Sequence, residues 1–287
     1  MRKNVLIVCM TALAMLFTVA SGVAAIDCSY FVTQGNGSAP PLKLAVAANF
    51  FGPSKVMVAN FLAANPNLDI TINICSGATG DFALALTSNP TAYDMFFAAD
   101  NTAANFNNDD DAYYAYPYAR GIPVLFGYTA NGIPNVGSLL TGLSTPGNLF
   151  ATLSGTNLSA YSIATATANN VAYANPGVAP YGVAAVYIMT ALYKPPTPTL
   201  NMQPDVGAAF SAVGTGSTHS GFVAKSQICT GGAVPPSIAY VEFPDFGPLQ
   251  YVVQLTDAAT DLNDYITTQM TLSGWNTFLT SNCYVAP

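Results

Sequence analysis

The chain has 287 residues, 51% of them hydrophobic and only 7% charged, with a formal net charge of −7. That length buries a core as one large domain or two ordinary ones, and so much hydrophobic content excludes an intrinsically disordered chain. Seven Lys and Arg in total exclude a nucleic-acid partner, because phosphate contacts need clustered cations.

Arg2 and Lys3 followed by an uncharged apolar run from Val5 to Val19 and the small residues Val23-Ala24-Ala25 read as a cleavable export signal over residues 1–25. The run is shorter than the ~20 residues a spanning helix needs. Asp27 ahead of Cys28 argues against a lipid anchor. Removing Arg2 and Lys3 leaves five cations against 14 acids, a net charge of −9. Cys28, Cys75, Cys229 and Cys283 then remain, an even number in an exported chain. Two disulfides are expected, with three connectivities open. The pairing taken is Cys28–Cys75 with Cys229–Cys283, and free buried thiols are the alternative.

Residues 26–41 read as an N-terminal tether, ending in the turn-rich Gly35-Asn36-Gly37-Ser38-Ala39-Pro40-Pro41. Leu42–Ala47 is a short, nearly continuous apolar run, as in a strand buried on both faces. After the break at residues 48–52, Pro53 fits a first helical turn, and Val56, Ala59, Phe61, Leu62 and Ala63 continue a helix that Asn65-Pro66-Asn67 stops. A second strand is expected over Leu68–Cys75, a loop over Ser76–Asp81, a helix over Phe82–Leu86 and a third strand over Tyr93–Ala98. The charge-free stretch 131–162 has too weak a period to place elements. Strand Val171–Ala174, a helix from Pro180-Tyr181-Gly182 to about Tyr193, a helix opened by Pro204-Asp205-Val206 and strand Ser220–Ala224 follow. This alternation is that of an α/β fold with parallel strands.

Enzymatic machinery is not apparent. The single histidine, His219, lies in a polar loop, and no GxSxG, HExxH or P-loop lysine is present, so no catalytic residue and no cofactor is expected. Asn107-Asn108-Asp109-Asp110-Asp111 lacks the spacing of a calcium loop and reads as solvated. Tyr113, Tyr114, Tyr116 and Tyr118 read as half-buried extended chain more readily than as a carbohydrate platform. Uncharged donors recur instead where strands give way to helices, at Asn49, Thr79, Tyr181 and the backbone of Val206. Ligands of open α/β sheets bind beyond the carboxyl ends of strands, where a helix start offers unpaired N–H groups to an anion.

Leu42-Lys43-Leu44-Ala45-Val46-Ala47-Ala48-Asn49-Phe50 resembles the opening strand and loop of the periplasmic molybdate-binding proteins of ABC importers. Ser76-Gly77-Ala78-Thr79-Gly80, the segments 93–100, 118–121 and 174–182, Asp205-Val206 and Gly221–Gln227 resemble further pieces of that family in the same order. The resemblance implies a two-lobed periplasmic-binding-protein-like α/β fold, each lobe a mostly parallel sheet flanked by helices, with two hinge crossings. Residues 42–123 plus 250–287 would form lobe 1 and residues 124–249 lobe 2. It further implies Ala48, Asn49, Thr79, Tyr181 and Val206 around the ion, with Thr79 where the family usually has serine and Ala224 where some members have tyrosine. The implied protein is a monomer, periplasmic or extracellular, that hands molybdate or tungstate to an ABC permease.

Neutral donors suit that ligand. Molybdate is an unprotonated dianion near neutral pH and only accepts, whereas phosphate keeps a proton that needs an acceptor. Asp81 is expected to cap the helix after Thr79; facing the pocket, it would favour phosphate. Sulfate or phosphate binding, and a surface protein that reuses the fold with a dead site, are the alternatives.

Overall fold

The computed structural model describes residues 28–108, 113–128, 170–192, 199–218 and 220–287. The expected export signal, the 131–162 stretch, His219 and Asp109–Asp111 lie outside these residues. Two sheets form the frame. The first has the order β1-β3-β2-β4-β11-β5, with β1 at Tyr30–Gly35, β2 at Leu42–Ala47, β3 at Thr71–Gly77, β4 at Met95–Phe97, β5 at Tyr116–Arg120 and β11 at Leu249–Gln254. The second has the order β10-β6-β9-β7-β8, with β6 at Pro123–Tyr128, β7 at Asn170–Ala174, β8 at Thr199–Gln203, β9 at Ser220–Ala224 and β10 at Ile238–Glu242. Each sheet has a core of three parallel strands, β3-β2-β4 and β9-β7-β8, bordered by antiparallel ones.

The central parallel strands are the apolar ones, while the edge strand β8 is polar in part and half-exposed. All of β2 is buried except Lys43, and every residue of β9 is buried, as strands covered on both faces require. Helices α1 (Phe51–Ala64) and α2 (Thr79–Ser88) follow β2 and β3 in lobe 1. Helices α3 (Pro180–Leu192) and α4 (Val206–Gly214) follow β7 and β8 in lobe 2, and the short α5 (Lys225–Ile228) follows β9. Helices α6 (Thr260–Thr271) and α7 (Ser273–Ser281) return to lobe 1, where Leu262, Ile266, Trp275 and Leu279 join the core under β2 and β3. No helix among the described residues is long and apolar enough to cross a membrane.

Among the described residues the chain passes between sheets at two places. Gly121-Ile122 joins β5 to β6, and residues 243–248 join β10 to β11. These crossings touch. Gly121 N–H donates to the Pro248 carbonyl (3.0 Å), and a Cβ on Gly247 would lie 2.1 Å from the Gly121 carbonyl oxygen. The C-terminal Val285 exchanges both backbone hydrogen bonds with Arg120 beside them (2.9 and 3.1 Å).

Three expectations change. The stretch read as a tether contains β1, which pairs antiparallel with β3 from Tyr30↔Ser76 to Gly35↔Thr71. Four of its six residues are exposed, so its apolar signal is weak, and its partner lies about forty positions away. The second strand starts at Thr71 because residues 65–70 are still turning out of α1. The antiparallel borders of each sheet come largely from strands entering or leaving the crossings, which an alternating strand–helix pattern does not reveal. The disulfides are Cys28–Cys75 and Cys229–Cys283. The first fixes the chain just ahead of β1 to β3. The second ties the residue after α5 in lobe 2 to the C-terminal segment packed on lobe 1.

Candidate functional site

The carboxyl ends of β2, β3 and β4 in lobe 1 face those of β7 and β8 in lobe 2. Between them lies a cavity of about 10 Å³ lined by the turns that follow these strands. Ala48, Asn49, Thr79, Tyr181 and Val206 all line it, together with Asp205 and small or apolar neighbours. No lysine or arginine is among the lining residues. A space this size holds about one water, and the two lobes meet around it.

Three of the turns present helix starts. A 3₁₀ turn over Ala48–Phe50 runs directly into α1, with Ala48 and Asn49 buried at its head. Phe50 pins it from below, 4.7 Å from the Tyr118 ring centroid and 5.5 Å from that of Phe97. Thr79 is the first residue of α2, and Val206 the first of α4. Asp205 caps α4, its Oδ1 accepting from Ala208 N–H (2.8 Å), which leaves the earlier N–H groups of that helix without an intrahelical acceptor.

Two hydroxyls complete the lining. Thr79 Oγ1 accepts from Ala99 N–H (3.0 Å), and Tyr181 Oη accepts from Gln250 Nε2 (3.1 Å). Each hydroxyl accepts one hydrogen bond and keeps its single hydrogen to give, so each can donate to a ligand. Both residues are buried. Burial raises the Tyr181 phenol well above its ordinary value, with the nearby Tyr284 adding to the shift and the Gln250 hydrogen bond opposing it. It stays a neutral O–H at neutral pH.

Asn49 differs in detail from the expectation that its amide donates to an ion. Its Nδ2 is committed to Gln250 Oε1 (2.9 Å) and Tyr284 Oη (2.8 Å), and its Oδ1 is buried without a partner. Its backbone at the helix start is the part placed to donate. Asp81 does not cap α2 through its side chain; the N-cap is Ala78. Asp81 stays partly exposed in the first turn and does not line the cavity. Its carboxyl is pushed above the usual carboxylate value by burial and by the charge of Asp205. Ala224 is fully buried in the same apolar cluster as Tyr181, so the tyrosine at the cleft comes from α3 rather than from β9.

Lobe-to-lobe contacts flank the cavity. Gly80 N–H donates to the Val178 carbonyl (2.8 Å), and a Cβ on Gly80 would come within 2.9 Å of the Val178 Cα. From the segment held by Cys28, the Ser29 hydroxyl donates to Asp205 Oδ2 and the Tyr30 hydroxyl meets Ser211 Oγ. Sequence reasoning missed Asp205 as a lining residue, and with it the buried set Gln250, Tyr118, Tyr284 and Ser226. Gln250 carried one usable signal, an amide set between apolar residues of β11.

The bacterial extracellular solute-binding protein family matches residues 42–269. The molybdate-binding protein ModA of Rhodobacter capsulatus is 29% identical over 191 residues, 64% of each chain. That of Azotobacter vinelandii is 29% identical over 195 residues, 66% of this chain and 67% of the relative. The chain thus spans slightly under two thirds of the R. capsulatus protein's length. Among solved structures, the Azotobacter vinelandii periplasmic molybdate-binding protein superposes with a TM-score of 0.64 at 21% identity, over 86% of this chain and 99% of that one.

Proposed function

This chain belongs to the bacterial extracellular solute-binding protein family, and on that premise we propose that it captures a tetrahedral oxyanion, molybdate or tungstate, between its lobes and delivers it to an ABC permease. The observation that carries this reading is the pair of hydroxyls, Thr79 and Tyr181, each already accepting a hydrogen bond and each left with a proton to give. Helix starts at Ala48-Asn49 and Val206 add backbone donors around the same cavity. The relatives named as molybdate-binding proteins support the choice of ion.

Neutral donors are enough for such a ligand. Each hydrogen bond to a charged oxygen contributes roughly 1.5–3 kcal/mol, and helix starts are favourable places for an anion without a cation. The cavity must widen to admit the ion, so the lobes part and close again around it. In this reading the site binds and releases its solute without chemistry, as an exported monomer outside the cytoplasmic membrane. A dead site on a surface protein is disfavoured by the convergence of Asn49 and Thr79 on one cavity.

Hydrogen phosphate is the second reading. It draws on the partnerless Asn49 Oδ1 and on the Asp205 carboxylate in the lining, either of which offers an acceptor to a protonated oxygen. Calorimetric titration with molybdate, tungstate, sulfate and phosphate tests both. Saturable binding of molybdate and tungstate with phosphate silent is the expected result. Phosphate binding tighter than molybdate reverses the choice, and silence with all four removes the oxyanion reading.

A further inference from the structure

The Tyr181 hydroxyl does not choose its own orientation. A chain of buried side chains from the first lobe sets it, beginning at a main-chain carbonyl. Tyr284 Oη gives its proton to the Asn49 carbonyl oxygen (2.9 Å), so towards the Asn49 side chain it can only accept, and it does so from Nδ2 (2.8 Å). That fixes which end of the Asn49 amide carries hydrogens. The second of them goes to Gln250 Oε1 (2.9 Å), which also takes the Tyr118 hydroxyl (2.8 Å). With its carbonyl end held by two donors, Gln250 must turn its amide nitrogen to Tyr181. Gln250 and Tyr118 are fully buried, and Asn49, Tyr181 and Tyr284 are at most 3% exposed. Burial keeps these groups from bulk solvent, and reversing one member would set acceptor against acceptor.

We propose that Gln250 is a positioning residue for ligand specificity: by donating to Tyr181 it takes up one acceptor site of that hydroxyl and leaves its proton to be directed at the cleft. This rests on the oxyanion reading above and deepens it. A fully deprotonated oxyanion takes the Tyr181 proton. A hydrogen-bearing one that turns its own O–H to Tyr181 must share the oxygen with the Gln250 amide and forgoes the Tyr181 proton, so it is bound less well. Gln250 itself is not among the residues lining the cavity; it acts through Tyr181.

The test is calorimetry of molybdate and phosphate at neutral pH on the full chain and on Gln250→Met, each with and without Tyr181→Phe. Gln250→Met frees the acceptor side of Tyr181, so the ratio of phosphate to molybdate affinity should rise at least tenfold. In the Tyr181→Phe background the same change should leave that ratio within twofold, since no hydroxyl remains to be turned. A ratio unmoved by Gln250→Met, or one that moves equally in both backgrounds, overturns the proposal. The second outcome is that of a residue that only holds the lobes together. Should Gln250→Met not fold, Tyr284→Phe removes the anchor that sets the Asn49 amide, allows the Asn49–Gln250 pair to turn over, and should shift the ratio in the same direction. No shift with Tyr284→Phe likewise overturns it. A parent protein that binds molybdate while its variants keep the parent ratio defeats the positioning role alone. A parent that binds no oxyanion defeats the oxyanion reading and this proposal with it.

Discussion

Tyr181 touches the cleft on one side and the first lobe crossing on the other: a Cβ on Gly121 would lie 1.9 Å from its hydroxyl. Its phenol and the Thr79 hydroxyl can be removed with little change of volume. Tyr181→Phe leaves the ring in the apolar cluster it shares with Ala224, and Thr79→Val keeps the branched shape while the Ala99 N–H loses its acceptor. Each should weaken molybdate binding by about tenfold to a hundredfold, the equivalent of one hydrogen bond to a charged group. Calorimetry reads that loss, and a melting temperature within a few degrees of the parent shows that the fold is intact. Affinities unchanged in both variants would contradict the hydroxyl assignment.

At the scale of elements, Asp81 sits in the first turn of α2, two residues beyond the cleft-lining Thr79. Its carboxyl pKa is raised by burial and by Asp205, so the ionised form is disfavoured in the folded chain. The sign follows: stability linked to Asp81 is fullest below its unfolded value and declines as pH rises through the folded one. Asp81→Asn should therefore raise the melting temperature at neutral pH, and the gain should fade as pH drops below 3.8, the ordinary aspartate value. Thermal melts across that range check it, and an unchanged or lowered melting point at neutral pH would refute it. The elements also differ in how readable they are. β2, α1 and β9 announce themselves because burial on both faces or a Pro-led first turn is a local property. β1, β8 and β10 are border strands, half-exposed and polar in part, and their identity comes from partners far along the chain. The cleft was legible as a set of strand-to-helix turns. The Asn49–Gln250 and Asn49–Tyr284 pairs, separated by 201 and 235 positions, were not, since no local pattern brings an amide and a phenol together across such distances.

For the whole molecule, the Cys229–Cys283 disulfide is a third covalent line between the lobes, beside the two strand crossings. Val285, two residues on, pairs with Arg120 at the edge of the first crossing, so all three connections lie close to one another. A pair of spin labels on Val178 and Leu84, on opposite sides of the cavity, should report a broader distance distribution in Cys229→Ser/Cys283→Ser than in the parent without ligand. Identical distributions would show that the bond does not restrain the lobes.

With all three attachments gathered on one side, the molecule is built like a clamshell with a riveted spine. Attachments on one side oppose sliding and twisting of one half over the other more than they oppose opening about that side. On the proposed function, a partner that recognises the loaded form from outside would have one dependable cue, the alignment of the two rims, and would read occupancy from shape rather than from the solute itself.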